Sequence, residues 1–188
     1  MRTTLTILSS VLLALVTLAP AYAQAPEARI PQSAAAVAEV PPTNPNAAPL
    51  RVRIPAIGLN DPIQNMGLDK LGNLSVPSGK TQNVGWWQGG TIPGHVGSAV
   101  FDAHVFAAFK HLASARVGDD IYVDMSDGTT RHFQIQSSQV YKLAYVPANT
   151  LYNRADTARL NLITCAGTLT ADHSTYTHRL VAYAVLVS

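Results

Sequence analysis

Three side chains of this protein, a thiol, an imidazole and a guanidinium, are of the types that acyl transfer through a covalent intermediate requires. Cys165 is the only cysteine among 188 residues, so it has no intramolecular disulfide partner. It ends a predicted apolar strand, His104 ends an earlier one, and Arg179 begins a later one. A thiolate is a nucleophile, an imidazole transfers protons, and a guanidinium donates hydrogen bonds to a developing oxyanion. These three residues form the candidate catalytic site.

Short strands separated by Gly and Pro are the dominant pattern after residue 50. Asp127-Gly128 lies between two of them and predicts a hairpin turn. Phe106–Ala115 carries apolar residues at helical spacing and is the predicted helix. Many short strands with few helices indicate a mainly β fold, in the form of a closed or nearly closed β-barrel. The predicted strands are Arg51–Ile54, Ile63–Leu68, Ser98–His104, Asp120–Met125, Thr130–Tyr141, Leu160–Thr164 and Arg179–Val187.

Two further segments precede this region. Residues 1–23 combine an early positive charge, an apolar run over residues 5–19 and a small-x-small ending, which is typical of a signal peptide cleaved after Ala23. The alternative is an uncleaved membrane tether, although the run is shorter than the ~18–20 apolar residues of a spanning helix. Residues 24–49 are rich in Pro and Ala and predict an extended linker. The predicted domain organisation is therefore a signal or anchor (1–23), a linker (24–49) and a catalytic domain (50–188).

The charge balance argues against nucleic acid as a partner. Lys and Arg number 13 against 11 Asp and Glu, and no basic run concentrates the small excess. A zinc site built from Cys165, His104, His173 and His178 is the alternative use of these side chains. The five-residue spacing of the last two is no recognised zinc-ligand pattern, so we expect no metal and no cofactor.

The order of these motifs resembles the sortases, a family of extracytoplasmic cysteine transpeptidases. Leu162-Ile163-Thr164-Cys165 is similar to the end of the family's TLxTC strand, with Asn161 in place of the first threonine. Asp102-Ala103-His104 and His178-Arg179 are placed where the family carries its histidine and arginine. Further similarity covers the opening strand Arg51–Leu59, the segment Val84–Gly90 with Pro93-Gly94, and the stretch Phe109–Tyr122. The N-terminal apolar segment, with no pilin-type lid motif, is closest to the class E and class F groups.

The resemblance implies a fold and a reaction. The fold would be a closed eight-stranded sortase-type β-barrel with one or two short helices. Cys165 would cleave an LPxTG-like sorting signal through a thioester and pass the acyl group to an amine, which a cell-wall precursor or a surface protein would supply. His104 would transfer protons, and Arg179 would bind the oxyanion or a substrate carbonyl. The protein would act outside the cytoplasm, secreted or anchored at the cell surface.

Several other residues are expected to lie around this site and to contact or select the substrate. We expect Thr164, Ala103 and Trp86 to contact substrate. Trp86 and Trp87 together would line the substrate groove; the alternative is a pair that lies half in the core and half on the surface. Asp102 is assigned to the strand face opposite His104, so we do not expect it to orient the imidazole. The segment from residue 140 to residue 158 is expected to be a loop that shapes substrate preference.

Two rival functions remain open at the level of sequence. An L,D-transpeptidase-like enzyme or thiol hydrolase would also use cysteine and histidine, but the former carries a Ser-His-Gly-x-Cys pattern that Leu-Ile-Thr before Cys165 does not match. A non-catalytic sortase-like module would bind a surface peptide without turning it over. The presence of all three reactive side chains favours catalysis, which a fold alone cannot establish.

Overall fold

The structure, a computed structural model, describes residues 44–70 and 72–188, and eight strands form a closed barrel in this part of the chain. The predictions for residues 1–23 and for most of the linker lie outside the described residues. None of the helices in the described ranges has the length and apolar character that crossing a bilayer requires. The strands are β1 (Pro49–Ile54), β2 (Leu59–Met66), β3 (Val84–Trp87), β4 (Gly97–Asp102), β5 (Asp120–Met125), β6 (Thr130–Lys142), β7 (Ala158–Leu169) and β8 (Tyr176–Leu186).

The order of strands around the barrel is β1, β2, β3, β4, β7, β8, β6, β5, and β5 pairs with β1 to close it. Two of the pairs, β2 with β3 and β4 with β7, are parallel, and the other pairs are antiparallel. The parallel pair β4 and β7 brings together strands that lie far apart in the sequence. The closed order confirms the predicted eight-stranded β-barrel. The pairing of β4 with β7 places the regions of His104 and Cys165 side by side.

Alternation along β4, β7 and β8 separates the barrel interior from an outer face. Inward side chains such as Phe101, Leu162 and Leu180 join the apolar core, which is nearly free of water contact. Because successive side chains of a strand point to opposite faces, the residues between them face outward. Cys165 and Arg179 belong to the outward set. The candidate site therefore lies on the outside of the barrel wall.

The strand boundaries differ from the sequence prediction in ways that matter for the site. β7 continues four residues beyond Cys165, and β8 begins three residues before Arg179, so neither residue lies at a strand end. β4 ends at Asp102, so His104 follows the strand instead of closing it. The sequence does not predict β3, which has only four residues and pairs with β2 and β4.

The predicted helix over Phe106–Ala115 is wrong. The backbone there forms successive turns and a short 3-10 helix over Leu112–Ser114. Phe109 and Leu112 are buried as the spacing suggested, but Phe106 is 61% exposed, so the apolar side chains do not pack as one helical face. The predicted loop 140–158 contains instead the end of β6, a 3-10 turn (Leu143–Tyr145) and a short helix, α1 (Ala148–Tyr152).

Candidate active site

A groove with a volume of about 860 Å³ runs over the outer face of β4, β7 and β8. His104, Cys165 and Arg179 all line it. Its walls are largely apolar and include Leu68, Val76 and Leu143. The volume lies at the upper end of the range found for small-molecule sites, and the groove combines apolar walls with a few convergent polar groups. The structure thus brings the three predicted catalytic residues into one concave surface.

The register of β7 and β8 places Cys165 directly opposite Arg179. Side chains of directly opposed residues project from the same face, with Cβ atoms about 4.5–5.5 Å apart. Cys165 is half-buried and its thiol is free. A thiol whose strand is paired with β8 at that residue, yet opens onto a groove, has both a fixed position and access to a substrate.

His104 is fixed to β7 through its neighbours in the chain. The amide of Ala103 donates to the carbonyl oxygen of Ile163 at 3.4 Å, and the Thr164 hydroxyl donates to the carbonyl oxygen of Ala103 at 2.7 Å. The imidazole stacks on the ring of Phe106, with centroids 4.8 Å apart and planes at 15°. Thr164, next to Cys165, therefore holds Ala103, next to His104. This hydrogen bond couples the positions of the two reactive groups.

The guanidinium of Arg179 is oriented by the first residues of its own strand. Its Nη1 donates to the carbonyl oxygens of Tyr176 (3.1 Å) and His178 (2.9 Å), and its Nη2 donates to the Thr175 hydroxyl (2.9 Å). A guanidinium has five N–H donors, so these three bonds leave two, one on Nε and one on Nη2. Two donors of a preorganised cation are therefore available to an oxygen in the groove.

The predicted substrate contacts fall into two groups. Thr164 and Ala103 line the groove, but both side chains are nearly buried. They contribute to the site through their backbone and through the hydrogen bond between them. The structure does not place Trp86 on the groove: its ring lies in the barrel core and its indole N–H donates to the carbonyl oxygen of Thr91 at 3.3 Å. Trp87 lines the groove instead and meets Tyr152 edge to face, with centroids 5.1 Å apart.

Asn161 on β7 fastens helix α1 to the barrel. Its side-chain amide is fully buried and donates to the carbonyl oxygen of Leu151 at 2.7 Å. Ser98 on β4 adds a second bond, from its hydroxyl to the carbonyl oxygen of Arg154 at 3.3 Å. Because α1 carries Tyr152, these bonds position one wall of the groove.

The assignment of Asp102 to the face opposite His104 is wrong. Within the predicted strand Ser98–His104, residues two apart would project from the same face, and in the structure Asp102 lines the same groove as His104. The residue is only 5% exposed, and its Oδ1 has no hydrogen-bond partner. Burial raises the pKa of this carboxyl from 3.8 to about 8. A buried carboxyl in the groove is a feature that the sequence prediction missed.

Gly85 on β3 provides the space that Asp102 occupies. The two residues pair in register, and a Cβ added at Gly85 would collide with the Asp102 carboxyl, with Met66 and with Pro77. Any larger side chain at this position would push the carboxyl out of its place. Gly85 thus leaves the room in which the Asp102 carboxyl lies.

The remaining histidines do not assemble a metal centre. Neither His173 nor His178 lines the groove, and the His178 ring is hydrogen-bonded to the Thr177 hydroxyl at 2.8 Å. Within residues 44–70 and 72–188, no group of three or more His, Cys, Asp or Glu side chains is arranged to hold a metal ion. The described side chains therefore offer no arrangement that fits the zinc alternative.

Comparison with known proteins agrees with this geometry. A family model described as Sortase domain matches residues 52–187, which covers the barrel from β1 through β8. No curated protein matches the chain significantly.

Solved structures of sortases share the fold. Sortase A from Corynebacterium diphtheriae matches with a TM-score of 0.57 and 20% identity, over 75% of this chain and 61% of that one. Sortase C from Clostridium perfringens SM101 matches with a TM-score of 0.56 and 19% identity, over 74% and 70%. Sortase C1 from Streptococcus agalactiae matches with a TM-score of 0.56 and 23% identity, over 74% and 67%. The chain thus spans about three fifths of the first of these proteins, and the likeness is one of fold.

Proposed function

The chain belongs to the sortase family, and on that premise we propose that it is an extracytoplasmic cysteine transpeptidase that cleaves an LPxTG-like sorting signal and transfers the acyl group to an amine. The observation that carries the proposal is the register that sets Cys165 opposite Arg179, on the groove that His104 also lines. A nucleophile, a proton carrier and an oxyanion donor on one concave surface are the parts that acyl transfer requires.

In the first half of the proposed reaction, the Cys165 thiolate attacks the carbonyl carbon of the Thr residue in the signal, which is bonded to the nitrogen of the following Gly. The carbonyl oxygen takes the negative charge of the tetrahedral intermediate, and the Nε–H and remaining Nη2–H of Arg179 donate hydrogen bonds to it. The C–N bond then breaks, His104 protonates the departing glycine amine, and the acyl group remains on Cys165 as a thioester.

In the second half, an amine attacks the thioester carbonyl. The imidazole, neutral after the first half, accepts the proton of the attacking amine, and the new amide forms as the C–S bond breaks. The amine would come from a cell-wall precursor or from another surface protein. Attack by water would release a free carboxylate and make the enzyme a simple protease.

The location and the subclass belong to the same proposal. Residues 1–23 would export the chain, either as a cleaved signal or as a tether through residues 5–19, and residues 24–49 would hold the barrel away from the membrane or wall. The class E or class F groups fit the N-terminal apolar segment and the lack of a pilin-type lid motif in the sequence.

Peptide turnover by the full chain tests this function. Wild type and Cys165→Ala are incubated with LPATG- and LAATG-containing peptides and with triglycine as the amine, and the products are read by mass spectrometry. We expect Cys165-dependent cleavage and a triglycine-ligated product. Cleavage without ligation would reassign the protein as a hydrolase, and binding without cleavage would reassign it as a peptide-binding module.

Thr175 is expected to position Arg179, because its hydroxyl accepts the Nη2–H bond. Replacing Thr175 by alanine should lower kcat/KM by about tenfold, the effect of losing roughly 1.4 kcal/mol from one charge-assisted hydrogen bond. Thr175→Ser keeps the hydroxyl and should restore the activity, which a merely structural role of the methyl group would not predict.

Thr130→Ala is the matched control for this variant. Thr130 also donates from its hydroxyl to a charged partner, Asp124, at 2.8 Å, but it does not line the groove. We expect its kcat/KM to equal that of wild type. Equal activity of Thr175→Ala and wild type would contradict the positioning role.

A further inference from the structure

Asp102 is a buried carboxyl for which the mechanism above has no use. It is the only acidic side chain among the described residues that line the groove. Its Oδ1 is enclosed beside Gly85 without a hydrogen-bond partner, although most buried polar atoms in proteins have one. The residue is 5% exposed, and a carboxylate at such a site is costly unless a positive partner compensates it. Asp102 lines the groove, and an uncompensated carboxyl at the edge of a binding groove can take a positive partner that arrives with the ligand.

The described protein side chains supply no such partner. The pKa of Asp102 is raised by burial, and the only opposing influence is a hydrogen bond from its own backbone. No lysine lines the groove, and the guanidinium of Arg179 is bound by three hydrogen bonds at the start of β8. The other titratable side chains that line the groove are His104 on the same segment, Tyr152 on α1, Cys165 on β7 and Tyr176 on β8.

The immediate surroundings of Asp102 suit a cation on an apolar stem. The edge-to-face pair Trp87 and Tyr152 lines the same groove, and after burial the charge of Asp102 is the next cause that raises the pKa of Tyr152. Ile163, the register partner of Asp102 on β7, adds an apolar surface. Aromatic faces attract ammonium and guanidinium groups, and a lysine or arginine stem can lie along apolar walls while its charged end reaches a carboxylate.

The register of β4 with β7 also fixes the distance between Asp102 and the reactive groups of Cys165 and His104. Asp102 precedes His104 by two residues, and its partner Ile163 precedes Cys165 by two residues. Two residues of strand span about 6–7 Å. A peptide extended along the groove would therefore bring a residue about two positions from the scissile carbonyl to Asp102, while the reacting amine itself would lie nearer to Cys165.

Resting on the proposed function, we propose that Asp102 is a specificity-determining residue that binds a lysine or arginine side chain of the peptide substrate, about two positions from the scissile bond. The carboxylate would accept hydrogen bonds from the cation, and the apolar walls would exclude water from the pair. A substrate with an acidic side chain at the same position would place two negative charges together and would be rejected.

A lysine scan tests this site independently of turnover. The full-length Cys165→Ala chain is titrated with LPATG peptides extended by two residues on each side, in which one position at a time carries lysine or norleucine, which has a similar stem without the ammonium. We expect one lysine peptide, about two positions from the scissile bond, to bind at least about tenfold more tightly than its norleucine partner. In the Cys165→Ala, Asp102→Asn double variant, the ratio of the two dissociation constants should fall to about one.

The outcomes separate this proposal from the proposed function. If the peptides bind but no lysine peptide binds more tightly, or if the lysine preference persists with Asp102→Asn, the cation site is wrong while the transpeptidase function stands. If no peptide binds, the sorting-motif part of the proposed function fails, and a second measurement decides the cation site.

The second measurement uses N-acetyl-lysine methylamide and N-acetyl-norleucine methylamide as probes on the full chain. The carboxyl-carbon NMR resonance of Asp102, assigned by its loss in Asp102→Asn, reports the pKa of the group with each probe. We expect saturating lysine probe to lower that pKa by about 1, equivalent to a tenfold preference of the cation for the ionised form, and the norleucine probe to leave it unchanged. Equal pKa values with both probes would overturn the proposal.

Discussion

Replacing Cys165 by alanine and replacing His104 by alanine are each expected to lower kcat/KM for an LPxTG-type peptide by about 10³-fold or more, and the double variant is expected to lose little beyond that. The reason is that the two groups act in the same steps, attack and proton transfer, so either loss disables the pair. Losses of residues that act as a unit are strongly non-additive. The measurement is single-turnover cleavage of a fluorogenic LPATG peptide by the full chain.

Phe106 provides the matched control for the histidine variant. Its ring stacks on the imidazole from an exposed position, so Phe106→Leu removes the stacking partner and keeps an apolar side chain. We expect a loss of less than about tenfold, because aromatic pairs are worth about 0.5–1.5 kcal/mol. Two single losses that multiply in the double variant would show that Cys165 and His104 act independently, which contradicts the mechanism.

The substitution Asp102→Asn is expected to stabilise the protein at pH 8 and to have a much smaller effect on stability at pH 4. Burial raises the pKa of Asp102 from 3.8 to about 8, so below pH 4 both the folded and the unfolded chain carry the protonated group. As the pH rises from 4 to 8, the unfolded chain releases this proton first and the folded state loses stability; above pH 8 the loss is complete. Each pKa unit is worth about 1.4 kcal/mol, so we expect a pH-dependent difference of about 2–5 kcal/mol.

Denaturant unfolding of the full chain between pH 2 and pH 9 measures this difference and covers the range of the control. Asp172→Asn is the control of opposite sign, because hydrogen bonds from Thr170 first, and then Ser174, lower the pKa of the exposed Asp172 to about 2. Stability contributed by that group is present above about pH 4 and is lost as the pH falls toward 2. Parallel stability curves for wild type and Asp102→Asn would contradict a raised pKa of the Asp102 carboxyl.

Local patterns in the sequence predict much of the barrel, because the alternation of apolar and polar residues matches the alternation of buried and exposed side chains along its strands. Asp120–Met125 alternates buried and half-buried side chains, and its predicted limits are those of the strand. Thr130–Tyr141 was predicted to within one residue, since the Asp127-Gly128 turn fixes where β6 begins. Such features depend on near neighbours, so the sequence carries them directly.

The predicted strand limits and the predicted helix are wrong where pairing with other strands, or the surroundings of the side chains, determines the backbone structure. β7 extends past Cys165 because its partner β8 continues the ladder, although residues 167–169 are exposed and carry no apolar alternation. β3, with only four residues, becomes a strand because β2 and β4 flank it. The segment after His104 turns instead of forming a helix, with the His104 carbonyl accepting bonds from both Ala107 and Phe109.

For the candidate site, residue types predicted the groups but not their surroundings. His104, Cys165 and Arg179 were predicted as candidates from their types and from strands that precede or follow them, and the structure brings all three to one groove. Asp102 was overlooked because its strand face was assigned incorrectly, although a spacing of two residues from His104 was the available signal. Trp87 rather than Trp86 faces the groove, a choice that depends on the register of β3 with β4.

Trapping the covalent intermediate tests the central claim most directly. The full chain is mixed with an LPATG peptide without added amine, quenched in acid within seconds, and its intact mass is measured, followed by peptide mapping. We predict an added mass equal to the acyl fragment ending in Thr, located on Cys165, removed by hydroxylamine and not formed by Cys165→Ala. Peptide cleavage without this adduct, or an adduct that forms on Cys165→Ala, would contradict the assignment of Cys165 as the nucleophile.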